Sequence, residues 1–534
     1  MSSPRIKSFF HLPDKRRLAY AEYGDANGTP VFLFHGLPGP RLSWGLPPDN
    51  PFPARLRIVA PGRLGYGRSD AKPCLLDETS CRAPRKWRMI RDMRNTSNVF
   101  HRSPDHDYPV AVRGDGAYLC DSSGKQYLDD SGGAAVSCLG HGNPEVVAAI
   151  KAQVEQLAYA HTAFFTNEPQ EHLAARLVER FPAAGARVYF LSGGSEANET
   201  AIKLARQYWL SQGKPDKHIV ISRNQSYHGN TVGALSVSGN PGRREIFAPI
   251  LHDWPRIDPC YAFRHQNDGE SEQDYGVRTA QSLERAIDEQ GADNIAGFIA
   301  ETVVGATLGA VPPVEGYFRQ IREICDRHDI LLILDEVMCG SGRSGTYFAF
   351  EQDGVVPDIV TTAKGLAGGY QAIGAALTQG FVHDSIVAKF GCFAHGHTYI
   401  GHATACAAAI AVSNVIDEQD LLGNVQKIGE LLSNELRSSL AENPFVGDIR
   451  GRGLLIGIEL VADRVSNAPA DPALASAIKN AAMDEGLIIY PGGGTADGVS
   501  GAHVMLAPPF IFTKDHVDEL VTKLGKVLVK TGLH

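Results

Sequence analysis

The sequence has few of the features that mark membrane, metal-binding and disulfide-stabilised proteins. No apolar run reaches the roughly 18 residues that a membrane-spanning helix needs, and the N-terminus has no apolar segment of the secretory type. The nine cysteines are scattered along the chain, with no C-x-x-C pair and no histidine pair at metal-ligand spacing. We therefore expect reduced thiols in a cytoplasmic protein, with no membrane association and no metal site.

The charge balance argues against a general nucleic-acid binder. Lys and Arg total 51 against 60 Asp and Glu, which gives a net charge of −9, whereas a nucleic-acid binder usually presents a basic face. Hydrophobic residues make up 43% of the chain and charged residues 21%, as in an ordinary globular protein. We expect the partners to be small molecules and further copies of the chain, not nucleic acid.

The first 85 residues have a pattern of their own. Strand patterns at 17–23, 31–34 and 57–60 surround an HGLPG turn at 35–39 and precede a GYGRSD loop at 65–70. This order resembles the opening of an α/β-hydrolase, but the chain contains no G-x-S-x-G nucleophile pentapeptide, and Gly62 stands where that family has Asp. We interpret residues 1–85 as a partial hydrolase-like segment without serine-hydrolase chemistry, which is a relic, a fusion product or a gene-model error.

One lysine and one aspartate stand out by their surroundings. Lys364 lies in the segment TTAKGLAGG, where small and apolar neighbours reduce hydration, lower the amine pKa and make it a nucleophile for an aldehyde. Asp335 ends the apolar run ILLILD, and a carboxylate at the end of a buried strand can keep a pyridinium nitrogen protonated. Taken alone, Lys364 is typical of a surface lysine and Asp335 is typical of a helix cap. Together they indicate a pyridoxal phosphate enzyme.

Two segments upstream supply the other parts of such a site. A strand, a glycine turn and a helix are predicted over 187–210, so that Gly194 and Ser195 present backbone N–H groups to a phosphate at the helix N-terminus. Further along, Tyr227-His228-Gly229 follows a short strand; the aromatic ring can lie on the cofactor ring, and glycine permits close approach. Each segment alone is also typical of an ordinary strand end or strand-to-helix turn.

Seven short motifs between residues 194 and 402 extend this pattern. They are GSEANE at 194–199, SYHG at 226–229, AE at 300–301, DEV at 335–337, GRSG at 342–345, TAKG at 362–365 and HTYIGH at 397–402. In order and spacing they resemble the class III pyridoxal-phosphate aminotransferases, and the resemblance runs from about Asn98 to the C-terminus. It implies that Lys364 forms the Schiff base with the cofactor and that Asp335 pairs with the pyridine nitrogen.

The same resemblance implies roles for further residues and for a second subunit. Gly194 and Ser195 would bind the phosphate, Tyr227 would stack on the ring with His228 and Gly229 beside it, and Glu301 would line the site. Thr398 would reach the phosphate of the neighbouring subunit's cofactor. The active unit is then at least a homodimer.

The remaining pattern predicts an α/β fold, and the resemblance implies that it is of the fold-type I class. Between about 165 and 415, short apolar strands alternate with amphipathic helices such as 317–328, which is typical of a parallel or mixed sheet covered on both faces. We expect this range to be the large cofactor domain, and 86–164 with 416–534 to form a smaller α+β domain. Residues 1–85 form the separate hydrolase-like segment.

Two departures from the family pattern bear on the substrate. Relatives that take α-amino acids place an arginine just before the Ala-Pro-Pro segment, where this chain has Met505. In addition, Met338 and Cys339 replace the Gln-Thr of many relatives, as in the branch that acts on ω-amino acids and simple amines. Arg450 and Arg452 remain candidate carboxylate anchors; of these we assign Arg452 to substrate binding, although surface or packing roles are as common for arginines in a turn.

These observations predict an aminotransferase with a ping-pong mechanism. It would move an amino group from an amine, ω-amino or amino acid donor to an oxo acid or aldehyde, with Lys364 carrying the proton. Racemases, decarboxylases, aminomutases and phospho-lyases use the same scaffold, and the fold alone does not separate them. The missing nucleophile disfavours a hydrolase. The presence of Lys364, Asp335 and the phosphate turn disfavours a non-catalytic binding protein.

Overall fold

The structure is a computed structural model that describes residues 97–103 and 106–534, together with the backbone of four strands nearer the N-terminus. The chain divides into two compact units, Met1–Asp107 and Tyr108–His534. The four strands of the first unit are β1 Ile6–His11, β2 Arg17–Gly24, β3 Thr29–Phe32 and β4 Leu56–Pro61. They form one sheet in the order β1-β2-β4-β3. The HGLPG turn and the GYGRSD loop, on which the hydrolase resemblance depends, lie outside the described residues.

The second unit contains the remaining strands and the helices. Its strands are β5 Ala111–Asp115, β6 Tyr118–Asp121, β7 Gln126–Asp129, β8 Arg187–Leu191, β9 Ile219–Arg223, β10 Arg256–Ile257, β11 Ile295–Glu301, β12 Leu331–Asp335, β13 Ile359–Thr362, β14 Gly374–Thr378, β15 Val446–Arg452, β16 Leu455–Asp463, β17 Ala468–Pro469, β18 Leu487–Ile488, β19 Tyr490–Gly493 and β20 Ala502–Leu506. Its helices are α1 Gly132–Ala135, α2 Pro144–Gln156, α3 Glu168–Arg180, α4 Gly194–Ser211, α5 Val232–Val237, α6 Pro241–Arg244, α7 Ala262–His265, α8 Glu272–Gln290, α9 Tyr317–Arg327, α10 Gly380–Phe390, α11 Ala403–Glu418, α12 Leu421–Ser439, α13 Leu474–Asp484 and α14 Lys514–Lys530.

A seven-stranded sheet in the order β10-β9-β11-β12-β13-β14-β8 forms the centre of this unit. The strands from β10 to β13 are parallel, whereas β14 runs antiparallel to both of its neighbours. Successive side chains of one strand face opposite sides: Phe298 packs into one core with Phe318 of α9, and Ile299 packs into another with Trp209 of α4. The predicted mixed α/β sheet covered on both faces is therefore confirmed.

Two smaller sheets complete the second unit. One has the order β15-β16-β20-β19, with β17 paired to β16. The other has the order β18-β7-β6-β5, and the parallel pairing of Leu487 with Leu128 joins the segments that precede and follow the seven-stranded sheet in the chain. Over the residues described, no helix has both the length and the apolar character that crossing a membrane requires.

The register of the large sheet positions the predicted site. Glu301 at the end of β11 pairs with Asp335 at the end of β12, and Asp335 pairs with Thr361 near the end of β13. Lys364 follows β13 directly in a short 3₁₀ turn. Because parallel strands end at the same edge of a sheet, these side chains meet there, at the edge where open α/β sheets bind ligands.

Candidate active site

A cavity of about 400 Å³ lies at the carboxyl edge of the large sheet, which is within the usual size range of small-molecule sites. The predicted site residues that line it are Gly194, Ser195, Tyr227, His228, Gly229, Glu301, Asp335 and Lys364. Apolar side chains, including Val136, Val303, Met338 and Ile373, form much of the remaining wall, together with the polar residues Ser192, Asn198 and Gln371. Thr398 and Arg452 do not line the cavity.

Lys364 occupies an unusual backbone position. Its φ is 46°, in the left-handed region that costs a residue with a side chain free energy. Part of its surface faces the cavity, but the surrounding protein removes most of its water. Burial lowers the pKa of the Lys364 amine to about 8, although the negative charges of Asp335 and Glu301 oppose the shift. A larger fraction of this amine is therefore neutral and nucleophilic near pH 7 than for a solvated lysine.

Asp335 is held in a fixed orientation from three sides. Its side chain is only 4% exposed. The Oδ2 atom accepts hydrogen bonds from His228 Nδ1 at 2.8 Å and from Asn198 Nδ2 at 2.7 Å, and Oδ1 accepts one from the backbone N–H of Val337 at 3.0 Å. Because a carboxylate only accepts, Nδ1 is the donor nitrogen of His228. The other ring nitrogen, Nε2, is buried and has no partner within the described part of the chain.

Asn198 also lines the cavity, although the sequence motifs did not predict a role for it. Besides Asp335, its Nδ2 group donates to the carbonyl oxygen of His228 at 2.7 Å, and its Oδ1 atom accepts from Thr361 Oγ1 at 2.7 Å. The amide thus links α4, the β9 loop and the ends of β12 and β13. Its position four residues after Gly194, on the same face of the helix, is the sequence signal that could have identified it.

The start of α4 provides a backbone site for an anion. The helix begins after Gly193 with no side-chain cap, so its first N–H groups remain available to a ligand. Gly229 has a φ of 137°, and a Cβ atom there would lie 2.5 Å from Ser195 Oγ. Ser195 Oγ in turn accepts a hydrogen bond from the backbone N–H of Asn230 at 3.0 Å. Only glycine permits this close contact between the YHG segment and the helix start.

Glu301 and Tyr227 form one wall of the cavity. The carboxylate of Glu301 accepts hydrogen bonds from the backbone N–H groups of Tyr227 at 3.3 Å and Gly305 at 3.1 Å, and burial raises the pKa of this carboxyl group. The guanidinium of Arg243 lies over the Tyr227 ring, with its central carbon 4.3 Å from the ring centroid. Arg243 is a second residue near the site that the sequence analysis did not select.

The two arginines considered as carboxylate anchors are both engaged in ion pairs. Arg452 forms a bidentate pair with Asp353, with N···O distances of 2.7 and 3.0 Å. Arg450 is buried and bonds to Glu459 at 2.7 Å and to Asp448 at 3.1 Å. These contacts satisfy the charges of both arginines within the protein.

Met505 and Thr398 also lie away from the cavity. Met505 is fully buried in a small core with Ala135, Val303 and Cys339 and does not line the cavity. The carbonyl oxygen of Thr398 accepts a hydrogen bond from the hydroxyl of Tyr159 at 2.7 Å, in an exposed part of the unit.

Comparisons with known proteins agree with this geometry. The family model described as "Aminotransferase class-III" matches residues 100–528. An uncharacterized aminotransferase of Schizosaccharomyces pombe is 42% identical over 81% of this chain and 95% of its own length. Gamma aminobutyrate transaminase 3, chloroplastic, of Solanum lycopersicum is 37% identical over 82% of this chain and 84% of its own.

Solved structures agree as well. The (S)-enantioselective omega-transaminase of Thermomicrobium roseum superposes with a TM-score of 0.78 at 34% identity, over 84% of this chain and 98% of its own. The omega transaminase of Pseudomonas jessenii in complex with PMP gives a TM-score of 0.77 at 32% identity, over 83% of this chain and 97% of its own. With the site geometry, these matches show that the chain belongs to the class III aminotransferases.

Family membership decides between the alternatives left open by the sequence. The protein is a pyridoxal-phosphate-dependent enzyme of fold-type I that transfers an amino group from a donor to an oxo acceptor. The family match begins at residue 100, which leaves the hydrolase resemblance of residues 1–85 without support. The fold, the cofactor and the type of reaction predicted from the sequence are confirmed.

Proposed function

We propose that Lys364 is the residue that binds the cofactor covalently and that Asp335 is the partner of its ring nitrogen. The observation that carries this proposal is the shared cavity, in which a carboxylate fixed by three hydrogen bonds lies near a lysine whose pKa is lowered to about 8. When bound, pyridoxal phosphate supplies an aldehyde for the donor's amino group and a ring that withdraws electrons. Asp335 would hold the proton on the ring nitrogen.

The remaining lining residues fit the other parts of this cofactor. The uncapped start of α4, with Gly194 and Ser195, offers backbone and hydroxyl donors to the phosphate. Tyr227 offers a flat face to the ring, with Gly229 leaving room for it. His228 supports Asp335, and Glu301 fixes the backbone of Tyr227 through the 3.3 Å hydrogen bond. Thus phosphate, ring and aldehyde each have partners in one cavity.

Lys364 would also move the proton in both half-reactions. Once its Nζ atom is free, it takes the proton from the carbon that carries the donor's amino group. Its lowered pKa favours this step, because the neutral amine is the base. In the acceptor half-reaction, the Nζ atom of Lys364 returns a proton to the carbon of the acceptor. The two half-reactions take place one after the other at the same site, so the two substrates bind in turn, as a ping-pong mechanism requires.

The lining favours donors with an aliphatic chain, which include simple amines and ω-amino compounds. Val136, Val303 and Met338 offer apolar surface next to the polar residues of the cavity. The test combines a panel of amino donors with the Lys364→Ala variant, monitored through the absorbance of the bound cofactor. The wild type should change its spectrum with at least one donor and turn over. A Lys364→Ala protein that keeps the wild-type spectrum and rate contradicts the role of this lysine.

We also propose that the enzyme is a homodimer in which Thr398 reaches the phosphate site of the second subunit. Support comes from large exposed apolar side chains near this loop: Phe164 is 80% exposed, Phe165 66% and Tyr399 59%. Patches of this kind mark interfaces in soluble proteins. Sedimentation should give twice the monomer mass. Phe164→Asp, introduced with Phe165→Asp, should produce monomers with weakened cofactor binding, and a catalytically competent monomer contradicts the proposal.

The domain division and the cellular location remain proposals as well. We propose a large domain over 165–415, a small domain from 86–164 with 416–534, and a separate N-terminal segment over 1–85. Limited proteolysis between residues 85 and 108 tests the last boundary, since the second compact unit begins at Tyr108. The cysteines of the described residues are free, which supports a cytoplasmic location. Fractionation of cells that express the tagged chain tests it.

A further inference from the structure

Arg243 does not itself line the cavity, but its guanidinium lies over the ring of Tyr227, which does, and it has no acidic partner among the residues described. Its backbone N–H is bonded to Asn240 Oδ1 at 3.2 Å, and its guanidinium lies 4.3 Å from the centroid of the Tyr227 ring. The side chain is partly buried. Arginines removed from water are usually paired with a carboxylate, so this one has capacity for a ligand.

The neighbouring arginines do not share this property. Arg244 donates to the carbonyl oxygens of Leu235, Ser236 and Ser238, the last two at 2.7 and 2.8 Å, and so stabilises the end of α5. Arg450 and Arg452 are engaged by carboxylates, as described above. Of these four arginines, Arg243 is therefore the one left for an anionic substrate group.

The position of Arg243 links it to the reacting amine. Tyr227, on which it stacks, lines the same cavity as Lys364. The positive charge of Arg243 also acts on Lys364, where it adds to the lowering of the amine pKa. The Arg243 guanidinium also makes a side-chain hydrogen bond with Tyr227, and because a guanidinium has five N–H donors, it has further donors for a carboxylate.

Apart from Lys364 and the start of α4, which the cofactor would occupy, the cavity lining offers a carboxylate no positive charge. Glu301 and Asp335 are themselves acidic, and Val303, Ala306 and Met338 are apolar. Burying an unpaired carboxylate against such a lining is costly. A substrate that carries one therefore needs a cation, and its aliphatic chain has an apolar wall to follow.

We propose that Arg243 binds the carboxylate of an ω-amino acid donor, so that the donor's amino group is placed at Lys364 and its methylene chain lies along the apolar wall. This inference rests on the proposed function of the cavity. If Arg243 binds the carboxylate, ω-amino acids are better donors than amines of the same length that lack a carboxylate. Arg243 is then a residue that determines donor specificity.

The test compares two donors of the same shape in the donor half-reaction alone, so that no oxo acid competes for Arg243. The donors are 4-aminobutanoate and its neutral amide, 4-aminobutanamide, and the reaction is followed through the cofactor absorbance of the holoenzyme. Arg243→Gln should lower the second-order rate constant for the carboxylate tenfold or more, equivalent to about 1.4 kcal/mol, and that for the amide less than threefold. Arg113→Gln, which removes an exposed charge in the same unit, should change neither.

Binding supplies a second measurement that does not depend on turnover. Calorimetry with butanoate, which has the carboxylate but no amino group, should show binding to wild type and to Arg113→Gln and at least tenfold weaker binding to Arg243→Gln. If Arg243→Gln does not retain the cofactor, Arg243→Lys replaces it. The Arg243→Lys variant keeps the positive charge but lacks the planar edge of the guanidinium. Its rate constant and its binding affinity should fall by an intermediate factor, and only for ligands that carry the carboxylate.

Each outcome has a defined meaning. Equal losses with both donors would show that Arg243 acts only through Tyr227 and would overturn the proposal, as would unchanged rates and unchanged butanoate binding. If wild type converts no donor of any class, the proposed function of the cavity is wrong. Butanoate binding then decides whether Arg243 is a carboxylate site in its own right.

Discussion

Asn198 donates a hydrogen bond to Asp335 Oδ2 at 2.7 Å, the same oxygen atom that His228 contacts at 2.8 Å. The amide connects the first turns of α4 to the carboxylate at the end of β12. Since α4 also begins at the turn that we propose binds the phosphate, one helix positions both ends of the proposed cofactor site. The orientation of Asp335 therefore depends on a residue of a different element.

Replacing Asn198 by Ala should lower turnover by about 10- to 100-fold, the range found when residues that orient a ligating group are removed. Asp335 would lose one of its three hydrogen-bond donors, and the hydroxyl of Thr361 would lose its acceptor. The measurements are kcat, KM and cofactor affinity of the purified variant. Asn443→Ala is the control, because its amide bonds to the Leu533 carbonyl away from the cavity. A turnover within twofold of wild type would show that His228 and Val337 alone hold Asp335.

The sequence predicts the centre of this site well, because it depends on strand ends. Asp335 and Lys364 follow apolar runs, and parallel strands bring their ends together whatever the details of packing. The helix predicted within 187–210 begins at Gly194, a start that the sequence does not mark because the N-cap is a glycine without the usual side-chain signal. For Asp335 and Lys364, the local sequence pattern and the topology of the sheet predict the same position.

Other residues could not be placed from local sequence. All five residues of β20 are buried, so alternation does not reveal which side of the strand Met505 faces, and it faces a core. Arg243 lies in α6, a helix of four residues, and its place over Tyr227 depends on tertiary packing. In the same way, only the tertiary structure shows that Arg450 and Arg452 are already paired.

The lowered pKa of Lys364 gives a pH prediction for the apoenzyme. The amine attacks the cofactor aldehyde only in its neutral form, so the rate of cofactor incorporation should rise with pH around a midpoint of about 8, well below that of a solvated lysine. Glu301 attracts the ammonium form and raises this pKa. The Glu301→Gln variant should therefore shift the midpoint to lower pH, as measured by stopped-flow absorbance.

A matched control for this experiment removes a remote carboxylate. Asp253→Asn is suitable because its side chain is 92% exposed and, within the described part of the chain, pairs with Arg256 alone. It should leave the midpoint unchanged. A midpoint near 10 in the wild type, or an upward shift in Glu301→Gln, would contradict the assigned electrostatics.

Removal of residues 1–85 should leave aminotransferase activity largely intact. The residues that line the cavity belong to the compact unit that begins at Tyr108, and the family match starts at residue 100. The specificity constant of the truncated protein with a good donor should stay within a few-fold of that of the full chain. A truncated protein that remains dimeric and binds cofactor but has lost all activity would show that the N-terminal segment contributes to catalysis.

Asp130 gives the last prediction, which concerns stability. Its carboxyl group is completely buried, neither oxygen has a hydrogen-bond partner in the described part of the chain, and burial with repulsion from Asp129 and Glu519 raises its pKa well above the usual value. The folded protein therefore retains a proton that the unfolded chain has released above about pH 4, and this site makes folding less favourable as the pH rises.

Asp130→Asn removes the titration, so the variant should gain stability relative to wild type between pH 5 and pH 8, by about 1 kcal/mol or more. Denaturant unfolding at both pH values measures this, with exposed Asp253→Asn as the control. A gain that is equal at both pH values would mean that Asp130 does not titrate in this range.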